Sequence, residues 1–249
     1  MRRTSAVETK ASEQRAQQEL QATVDRLLAG REPITVLDAG CGSAAHVRFP
    51  ASARMVGIDI SQRQLDRNKS IDEGILGDIQ TYPLAAESFD AIVCWDVIEH
   101  LDDPQAAIRR FAVALKPGGA IVLSCPNPQS LKGLVTRFTP HWFHLWFYRH
   151  IRRSKRAGTE DFGPFPTVMS PQMAPAAICR LAASCGLSVE FGAVFVGFKS
   201  GRRGFTSRRA VELGLKGAST ALRFATFGKY RGELSESMFV LRKIPQQAA

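Results

Sequence analysis

The sequence has 249 residues, of which 45% are hydrophobic and 22% charged, and its net charge is +10. This size and composition fit one α/β domain with an insertion. The longest apolar runs are strand-sized, which argues against a membrane-spanning helix of about 20 residues, and the N-terminal stretch lacks the apolar core of a secretory signal. The five cysteines include no Cys-x-x-Cys pair, so we expect reduced, buried thiols in a cytoplasmic protein. A metal site at Cys179 and Cys185 is the alternative.

The basic charge is concentrated in two segments. Residues 128–158 hold seven Lys and Arg and no acidic residue, and residues 199–232 hold nine Lys and Arg with Glu212 as the one acid. The rest of the chain has 17 basic and 22 acidic residues and is therefore net acidic. A field confined to two segments steers anions or an anionic surface.

Helical and strand-like patterns alternate along the chain. Apolar residues at helical spacing predict helices over residues 6–29, 103–115 and 170–185, and a basic helical stretch over 206–227. Short apolar runs predict strands at residues 34–39, 54–60, 74–79, 89–97, 120–125, 187–196 and 236–242, with a turn at 116–119. Such alternation predicts a parallel sheet covered on both faces, with ligands at the carboxyl ends of its strands. We expect one domain over residues 1–249, with an N-terminal helix in 1–30 and an insertion over 128–168.

Glycines and acidic residues follow the first three strands. Gly40 and Gly42 come directly after the first strand and allow a tight turn and the close approach of a ligand. Asp38 lies beside them, where a carboxylate repels a pyrophosphate and attracts an ammonium group. Asp59 ends the second strand and is placed to accept both hydroxyls of a ribose. Asp78 and Ile79 follow the third strand. Asp78 could accept a hydrogen bond from an adenine amino group, with Ile79 packed against the adenine ring. The alternative for each acid is a turn or strand-end residue.

Four stretches carry a resemblance to one known family. They are VLDAGCG (36–42), VGIDIS (56–61), GDIQTYPLAAESFDAIVCWDVIEHLDDP (77–104) and LKPGGAIVLSCPNP (115–128). The chain resembles the class I S-adenosylmethionine (SAM)-dependent methyltransferases over about residues 30–128, and in outline beyond them. The resemblance implies an α/β, Rossmann-like fold with a mostly parallel seven-stranded sheet, an antiparallel last strand and a helical, aromatic insertion.

The resemblance also implies SAM as the cofactor and roles for the matched residues. The implied cofactor-binding set is Asp38, Gly40, Gly42, Asp59, Ile60, Asp78, Ile79 and Trp95. The first three would hold the methionine part of SAM, Asp59 the ribose, and Asp78 with Ile79 the adenine, while Trp95 would line the pocket near the sulfonium. Residues 43–50 depart from the family pattern because they are short and end at a proline, so we expect only a brief helix there.

Methyl transfer to oxygen or nitrogen can require a base, and histidine is suited to that role. His100 closely follows the fourth strand and is the first candidate, with packing or capping of the next helix as the alternative. His141 and His144 in the insertion are further candidates, with structural or solvated roles as the alternative. Asp96, Glu99 and His100 also match the spacing of metal ligands in a quinone O-methyltransferase subgroup, where a Glu stands in the place of Asp96. We expect no metal, because similar sequences occur in relatives that bind none.

The insertion combines aromatic residues with cations, and four interpretations are open. It is a lid over a bulky apolar substrate, an interfacial element that meets anionic lipid headgroups, a nucleic-acid site, or a helix whose aromatic side packs on the sheet. We favour a lid or an interfacial role, because the cations follow the aromatic cluster and residues 206–227 have a similar character. Nucleic acid is disfavoured because no RNA-binding module is recognised. The aromatic residues are Trp142, Phe143, Trp146, Phe147 and Tyr148, and the cations are Arg149, Arg152, Arg153, Lys155 and Arg156.

These observations lead to a functional hypothesis with two rivals. We expect methyl transfer from SAM to oxygen of a small-molecule or lipid-like acceptor, such as a secondary metabolite, quinone or glycolipid. We expect the enzyme to be cytoplasmic and to contact the inner membrane surface through residues 128–158 and 199–232. Carbon and nitrogen acceptors share this scaffold. An NAD-dependent oxidoreductase is opposed by Asp38 and by the lack of a Tyr-x-x-x-Lys motif, and an inactive SAM-fold binding protein is opposed by the intact donor-site residues.

Overall fold

The computed structural model describes residues 6–151, 154, 157–159, 163–197, 214, 217–221, 224–226 and 231–245, with side chains from residue 12 onward. Helix α1 (Ala6–Leu28) precedes the sheet. The strands are β1 (Thr35–Ala39), β2 (Arg54–Asp59), β3 (Glu73–Leu76), β4 (Phe89–Trp95), β5 (Leu115–Pro126), β6 (Leu187–Phe195) and β7 (Glu236–Lys243). The further helices are α2 (Gln62–Arg67), α3 (Pro104–Ala114), α4 (Leu131–Phe138), α5 (His141–Trp146) and α6 (Pro175–Ser184), with short non-α helical turns at Ile98–His100, Phe147–Ile151 and Pro171–Met173.

The seven strands form one sheet in the order β3-β2-β1-β4-β5-β7-β6. Strands β1 to β5 pair in parallel, whereas β7 runs antiparallel to both β5 and β6. Glu236 at the start of β7 therefore lies opposite Pro126 at the end of β5. The predicted mostly parallel seven-stranded sheet with an antiparallel last strand is confirmed.

Helices cover both faces of the sheet because neighbouring strand residues point to opposite sides. Val36 lies in the core that Val24 of α1 covers. The next residue, Leu37, lies in the opposite core with Phe111 of α3 and Ile178 of α6. Both strand residues are fully buried, so the amphipathic pattern of α1 and the continuous apolar strands together fix the layer order.

Three predicted local features differ from the structure. The turn expected at residues 116–119 is an irregularity inside one strand, because β5 runs unbroken while its pairing with β4 shifts between Phe89 and Ala91. Gly118 adopts a φ of +73° there, which lets the extra residues bulge from the ladder. The brief helix expected after the glycine turn is wrong, because residues 41–53 contain no helix. The helix expected from about residue 170 begins at Pro175, after a short 3₁₀ turn.

A helix cap and an ion pair hold the start of the aromatic insertion (residues 128–168). Ser130 caps α4 by accepting from the backbone N–H of Gly133 at 2.9 Å. Lys132 pairs with the nearly buried Glu236 carboxylate at 2.7 Å, so the first turn of α4 is tied to the start of β7. The basic helical stretch expected over residues 206–227 lies largely outside the described residues, as do Arg152, Arg153, Lys155 and Arg156.

Candidate active site

The loop after β1 (residues 40–53, here called the glycine loop) begins with a turn that only glycine fits. Gly40 has a φ of +74°, and a Cβ on it would lie 2.5 Å from Cγ2 of Val97. Its N–H donates to the carbonyl oxygen of Ile58 at 2.8 Å. The side chain of Asn68 donates to the carbonyl oxygens of Cys41 and Gly42 at 3.3 and 3.2 Å. No sequence signal pointed to Asn68, because its role depends on α2 ending beside this turn.

Asp38 is a nearly buried carboxylate immediately below this turn. It is 4% exposed. Burial, and then the neighbouring Asp59 carboxylate, raise the pKa of Asp38 from its ordinary value of 3.8 to about 7, and no hydrogen bond from a described residue offsets the rise. A cationic group placed against Asp38 would favour its ionised form. The site therefore fits the ammonium group of SAM and disfavours a diphosphate.

Asp59 connects the ends of β1, β2 and β3. Its carboxylate accepts from the backbone N–H groups of Gly42 and Ser61, each at 2.9 Å. Its carbonyl oxygen accepts from the N–H of Gly77 at 2.9 Å. Each carboxylate oxygen has two lone pairs, so Asp59 retains the capacity to accept further hydrogen bonds, and its contact with ribose hydroxyls stays a prediction.

The residues predicted to hold adenine comprise one hydrogen-bonded acid and apolar side chains of very different exposure. Asp78 accepts from the backbone N–H of Gln80 at 2.8 Å, and the Gln80 side chain in turn accepts from the N–H of Asp102 at 2.9 Å. Ile79 is buried, whereas Ile60 is 77% exposed. An apolar side chain left that open beside Asp59 supplies a surface that an aromatic ring could cover. Gln80, which sequence reasoning missed, fixes the orientation of Asp78.

Trp95 ends β4 and stacks against a histidine that sequence reasoning did not single out. The rings of Trp95 and His46 lie 5.2 Å apart with an interplanar angle of 2°. His46 belongs to the glycine loop, so the loop folds back over the end of β4. The two residues are 49 positions apart, and no local pattern in the sequence predicts their contact.

His100 lies where the end of the insertion returns to the sheet. Its Nδ1 is 2.6 Å from the carbonyl oxygen of Pro166, and Phe165 contacts its ring edge-to-face at 6.0 Å. A carbonyl oxygen can only accept, so Nδ1 carries the hydrogen and the lone pair of the neutral ring lies on Nε2. The N–H groups of Val168 and Met169 also approach the carbonyl oxygen of Glu99, at 2.9 and 3.4 Å. The geometry gives His100 the tautomer of a base and an aromatic neighbour from the insertion.

His141 and His144 lie on α5, away from the elements that hold the other predicted residues. The Nε2 atom of His144 is 2.9 Å from Oγ1 and 3.2 Å from the carbonyl oxygen of Thr139, which ties it to the start of α5. Among the described residues, no hydrogen bond or ring contact connects either histidine to the glycine loop or to the end of β4. Their catalytic role stays a prediction.

The metal alternative gains no geometric support from Asp96, Glu99 and His100. Within the described part of the chain, no three His, Cys, Asp or Glu side chains are grouped so that they could hold a metal ion. Asp96 adopts a φ of +54°, which turns the chain sharply after β4. Glu99 is nearly buried, whereas His100 is half-buried against Pro166.

Comparison with known proteins gives a consistent result. A family model described as a methyltransferase domain matches residues 12–158. A ubiquinone biosynthesis O-methyltransferase from Thiobacillus denitrificans is 27% identical over 173 residues, which are 66% of this chain and 67% of that protein. A protein of the same description from Chromobacterium violaceum is 33% identical over 165 residues, 62% of this chain and 65% of that protein. The matched region thus spans about two thirds of the length of these relatives, and less of others, such as 43% for a Xanthomonas axonopodis protein.

The fold also matches solved structures. A candidate SAM-dependent methyltransferase from Listeria monocytogenes superimposes with a TM-score of 0.54 at 12% identity, covering 92% of this chain and 96% of that one. At this identity the match concerns the fold, and it extends over nearly the whole of both chains.

Proposed function

The chain belongs to the methyltransferase domain family. On that premise we propose that it transfers the methyl group of SAM to a hydroxyl oxygen of a small, apolar acceptor, which is presented at an anionic membrane surface. The relatives that carry the description O-methyltransferase support oxygen as the acceptor atom. The observation that carries the donor half of the proposal is the nearly buried Asp38 carboxylate beside the glycine turn.

Four groups of residues would hold the donor. Asp38 would receive the ammonium group, which removes the cost of an isolated buried carboxylate. The glycine turn leaves room for the methionine part, because no heavy atom lies within 4 Å of a Cβ placed on Gly42. Asp59 would accept the ribose hydroxyls, and Ile60 and Ile79 would enclose the adenine. SAM supplies a methyl group activated by its sulfonium, so the protein mainly needs to align the two reactants.

His100 would accept the hydroxyl proton of the acceptor. Its Nδ1–H is held by Pro166, so the proton would arrive at Nε2. The acceptor oxygen would form a bond to the methyl carbon while the carbon–sulfur electrons return to sulfur, leaving S-adenosylhomocysteine and a methyl ether. Phe165, which is 46% exposed beside His100, would provide apolar contact for the acceptor.

Part of the aromatic surface of the insertion is exposed, whereas Phe143, Phe147 and Tyr148 are half-buried. Phe138, Trp142 and Trp146 are 76%, 67% and 46% exposed, and the exposed Val135 lies one helical turn before Phe138 on α4. These exposed residues of α4 and α5, here called the stripe, lie within residues 128–158, which hold seven Lys and Arg and no acid. Exposed aromatic area next to cations is typical of elements that lie in the headgroup region of anionic membranes. We therefore assign this stripe to contact with lipid, on the cytoplasmic leaflet, where anionic lipids are found.

No helix among the described residues is long and apolar enough to cross a membrane. The membrane contact that we propose is peripheral, through side chains of the stripe. Residues 199–232 would add charge to the same contact, as the sequence predicted.

Two measurements test this function. Isothermal titration calorimetry should detect binding of S-adenosylhomocysteine and none of NAD⁺; preference for NAD⁺ would support the oxidoreductase alternative, and binding of neither would overturn the proposed donor. With the donor established, radiolabelled SAM and a panel of catechols and hydroquinones with short prenyl tails should give labelled methyl ethers. A protein that binds the donor but labels neither oxygen, nitrogen nor carbon acceptors would favour the inactive binding protein.

Sedimentation tests the membrane part separately. The protein should pellet with vesicles of phosphatidylglycerol and phosphatidylcholine at low salt, and less with phosphatidylcholine alone. Replacing Trp142 and Trp146 by Ser should reduce pelleting, whereas Val113→Ser, at a 59% exposed site on α3, should not. Equal pelleting of all three proteins, or none by the wild type, would exclude this stripe as a lipid contact.

A further inference from the structure

Three consecutive residues of the glycine loop are held by three different parts of the molecule. His46 stacks on Trp95, which is predicted to line the donor site. Val47 is 5% exposed and lies in the core that α1 covers. Arg48 is held through its backbone by one side chain of α1, because Gln21 donates from Nε2 to its carbonyl oxygen at 2.9 Å and accepts from its N–H at 3.0 Å. We call residues 46–48 the strap.

The Gln21 contact replaces hydrogen bonds that a helix would have provided. The strap lies in a stretch without helix, so its backbone polar groups need other partners. A carboxamide carries a donor group and an acceptor group side by side, and Gln21 presents both to the same residue as a neighbouring strand would. The contact spans 27 positions of sequence. The contact therefore fixes the position of the strap relative to α1.

The position of the strap in turn determines the position of the imidazole on Trp95. His46 and Val47 are consecutive residues in a bend of the chain, so the burial of Val47 in the core and the stacking of His46 on Trp95 both depend on the placement of one short stretch of backbone. If the strap shifts, the His46 ring cannot keep its parallel stacking on the indole. Trp95 would then gain rotamer freedom beside the predicted sulfonium position.

We infer that Gln21 is a positioning residue of the donor site, which acts from α1 through the strap and the His46–Trp95 stack. This inference rests on the proposed SAM site and adds a residue of α1 that lies in none of the four stretches that carry the resemblance. It assigns α1 a role in donor binding besides covering the sheet.

Calorimetry with S-adenosylhomocysteine provides the first test. Gln21→Ala removes two hydrogen bonds to the strap and should weaken binding about five- to tenfold. Gln18→Ala, at an exposed position on the same helix, should leave the affinity unchanged. His46→Ala should weaken binding to a similar extent, and His46→Phe, which preserves a stacking ring, should restore most of it.

A double-mutant cycle distinguishes transmission through the stack from a general loss of stability. In the His46→Ala protein, Gln21→Ala should cause little further loss, because the contact through which it acts is already missing. Additive losses would overturn the inference, as would an unchanged affinity of Gln21→Ala itself. If Gln21→Ala does not fold, equal affinity of His46→Ala and His46→Phe to the wild type would overturn it.

Fluorescence of Trp95 tests the same connection without any ligand. The chain has three tryptophans, so replacing Trp142 and Trp146 by Phe leaves Trp95 as the single indole. A stacked imidazole that becomes protonated should quench the indole, giving a pH-dependent emission that His46→Ala and Gln21→Ala both diminish. An emission unaffected by Gln21→Ala would contradict the connection even if the protein failed to bind the donor, and failure of wild-type binding alone would concern only the proposed function.

Discussion

The carboxylate of Asp59 accepts a hydrogen bond from the backbone N–H of Gly42 at 2.9 Å. The end of β2 thereby holds the turn that follows β1. The same side chain is the predicted partner of the ribose hydroxyls, so one residue both shapes the cofactor loop and would bind the cofactor.

Asp59→Asn and Asp59→Ala should separate these two roles. Asn keeps an oxygen that can accept from Gly42 but loses the charge, so S-adenosylhomocysteine binding should weaken about 10- to 100-fold, as expected for a lost charge-assisted hydrogen bond. Ala also leaves the N–H groups of Gly42 and Ser61 without their acceptor. It should therefore lower the free energy of unfolding by about a further 1–3 kcal/mol. Calorimetry and urea unfolding provide the measurements. Asn binding as tightly as Asp would exclude the ribose role.

Asp38 should make donor binding depend on pH. Because its pKa is about 7 in the ligand-free protein, the carboxyl group is protonated below that pH and must lose the proton to pair with an ammonium group. The affinity for S-adenosylhomocysteine should therefore rise between about pH 5.5 and 7.5, by at most about tenfold per pH unit. Calorimetry in two buffers of different ionisation enthalpy should detect proton release at the acidic end. Asp38→Asn should bind weakly at every pH with a flat profile, and a similar slope in that variant would assign the proton to another group.

The same shift predicts how Asp38 affects folding. The folded protein holds this proton up to about pH 7, whereas an unfolded aspartate loses it near its ordinary value of 3.8. Between these values the folded state binds more protons, so the contribution of Asp38 to the free energy of unfolding falls as pH rises from about 4 to about 7. Urea unfolding of the wild type and Asp38→Asn across this range should give a difference that grows with pH in favour of Asn. A constant difference would contradict the raised pKa.

Gly40 and Gly42 should differ when each is replaced by Ala. A Cβ on Gly40 meets Val97 at 2.5 Å and the residue has a φ of +74°, so Gly40→Ala should lower the melting temperature strongly. Gly42→Ala meets no atom within 4 Å and should cost only the backbone penalty of about 1–2 kcal/mol, while its methyl group blocks the donor. Adding Val97→Ala should restore part of the stability of Gly40→Ala. If the two single variants are equally stable, the contact with Val97 is not what excludes a side chain at position 40.

Asp90 should be a stability residue without a role in donor binding. It is nearly buried at the start of β4, accepts from the N–H of Thr35 at 2.9 Å and from Lys116 at 2.7 Å, and pairs with Arg31 at 3.5 Å. Asp90→Ala leaves these three groups without this acceptor and should cost about 1–3 kcal/mol of unfolding free energy. The matched control is Glu73→Gln, which alters the exposed pair with Arg54 and should cost less than about 1 kcal/mol. The affinity for S-adenosylhomocysteine should be the same in the wild type and in both variants. A weaker affinity in Asp90→Ala would link the two ends of the sheet.

The residues of the proposed donor site could be picked out from the sequence because they lie close together in the chain, at strand ends. Asp38, Gly40, Gly42 and Asp59 lie in short motifs, and parallel strands bring their carboxyl ends to one edge. The contacts of His100 could not be predicted from the sequence. His100 meets Phe165 and Pro166 only because the insertion returns over the turn after β4. Spacing in the sequence carries no information about that return.

By itself, the sequence determined the seven strands, their alternation with helices and the chemistry that follows each strand, because periodicity and turn residues act over a few neighbouring positions. The tertiary structure alone decided which side chains hold the glycine loop and which aromatic residues remain exposed. Gln21 and Arg48, or His46 and Trp95, meet through contacts that span 27 and 49 positions. Such contacts depend on how α1 and the glycine loop pack on the sheet. Neither partner can be identified from the residues that surround the other in the sequence.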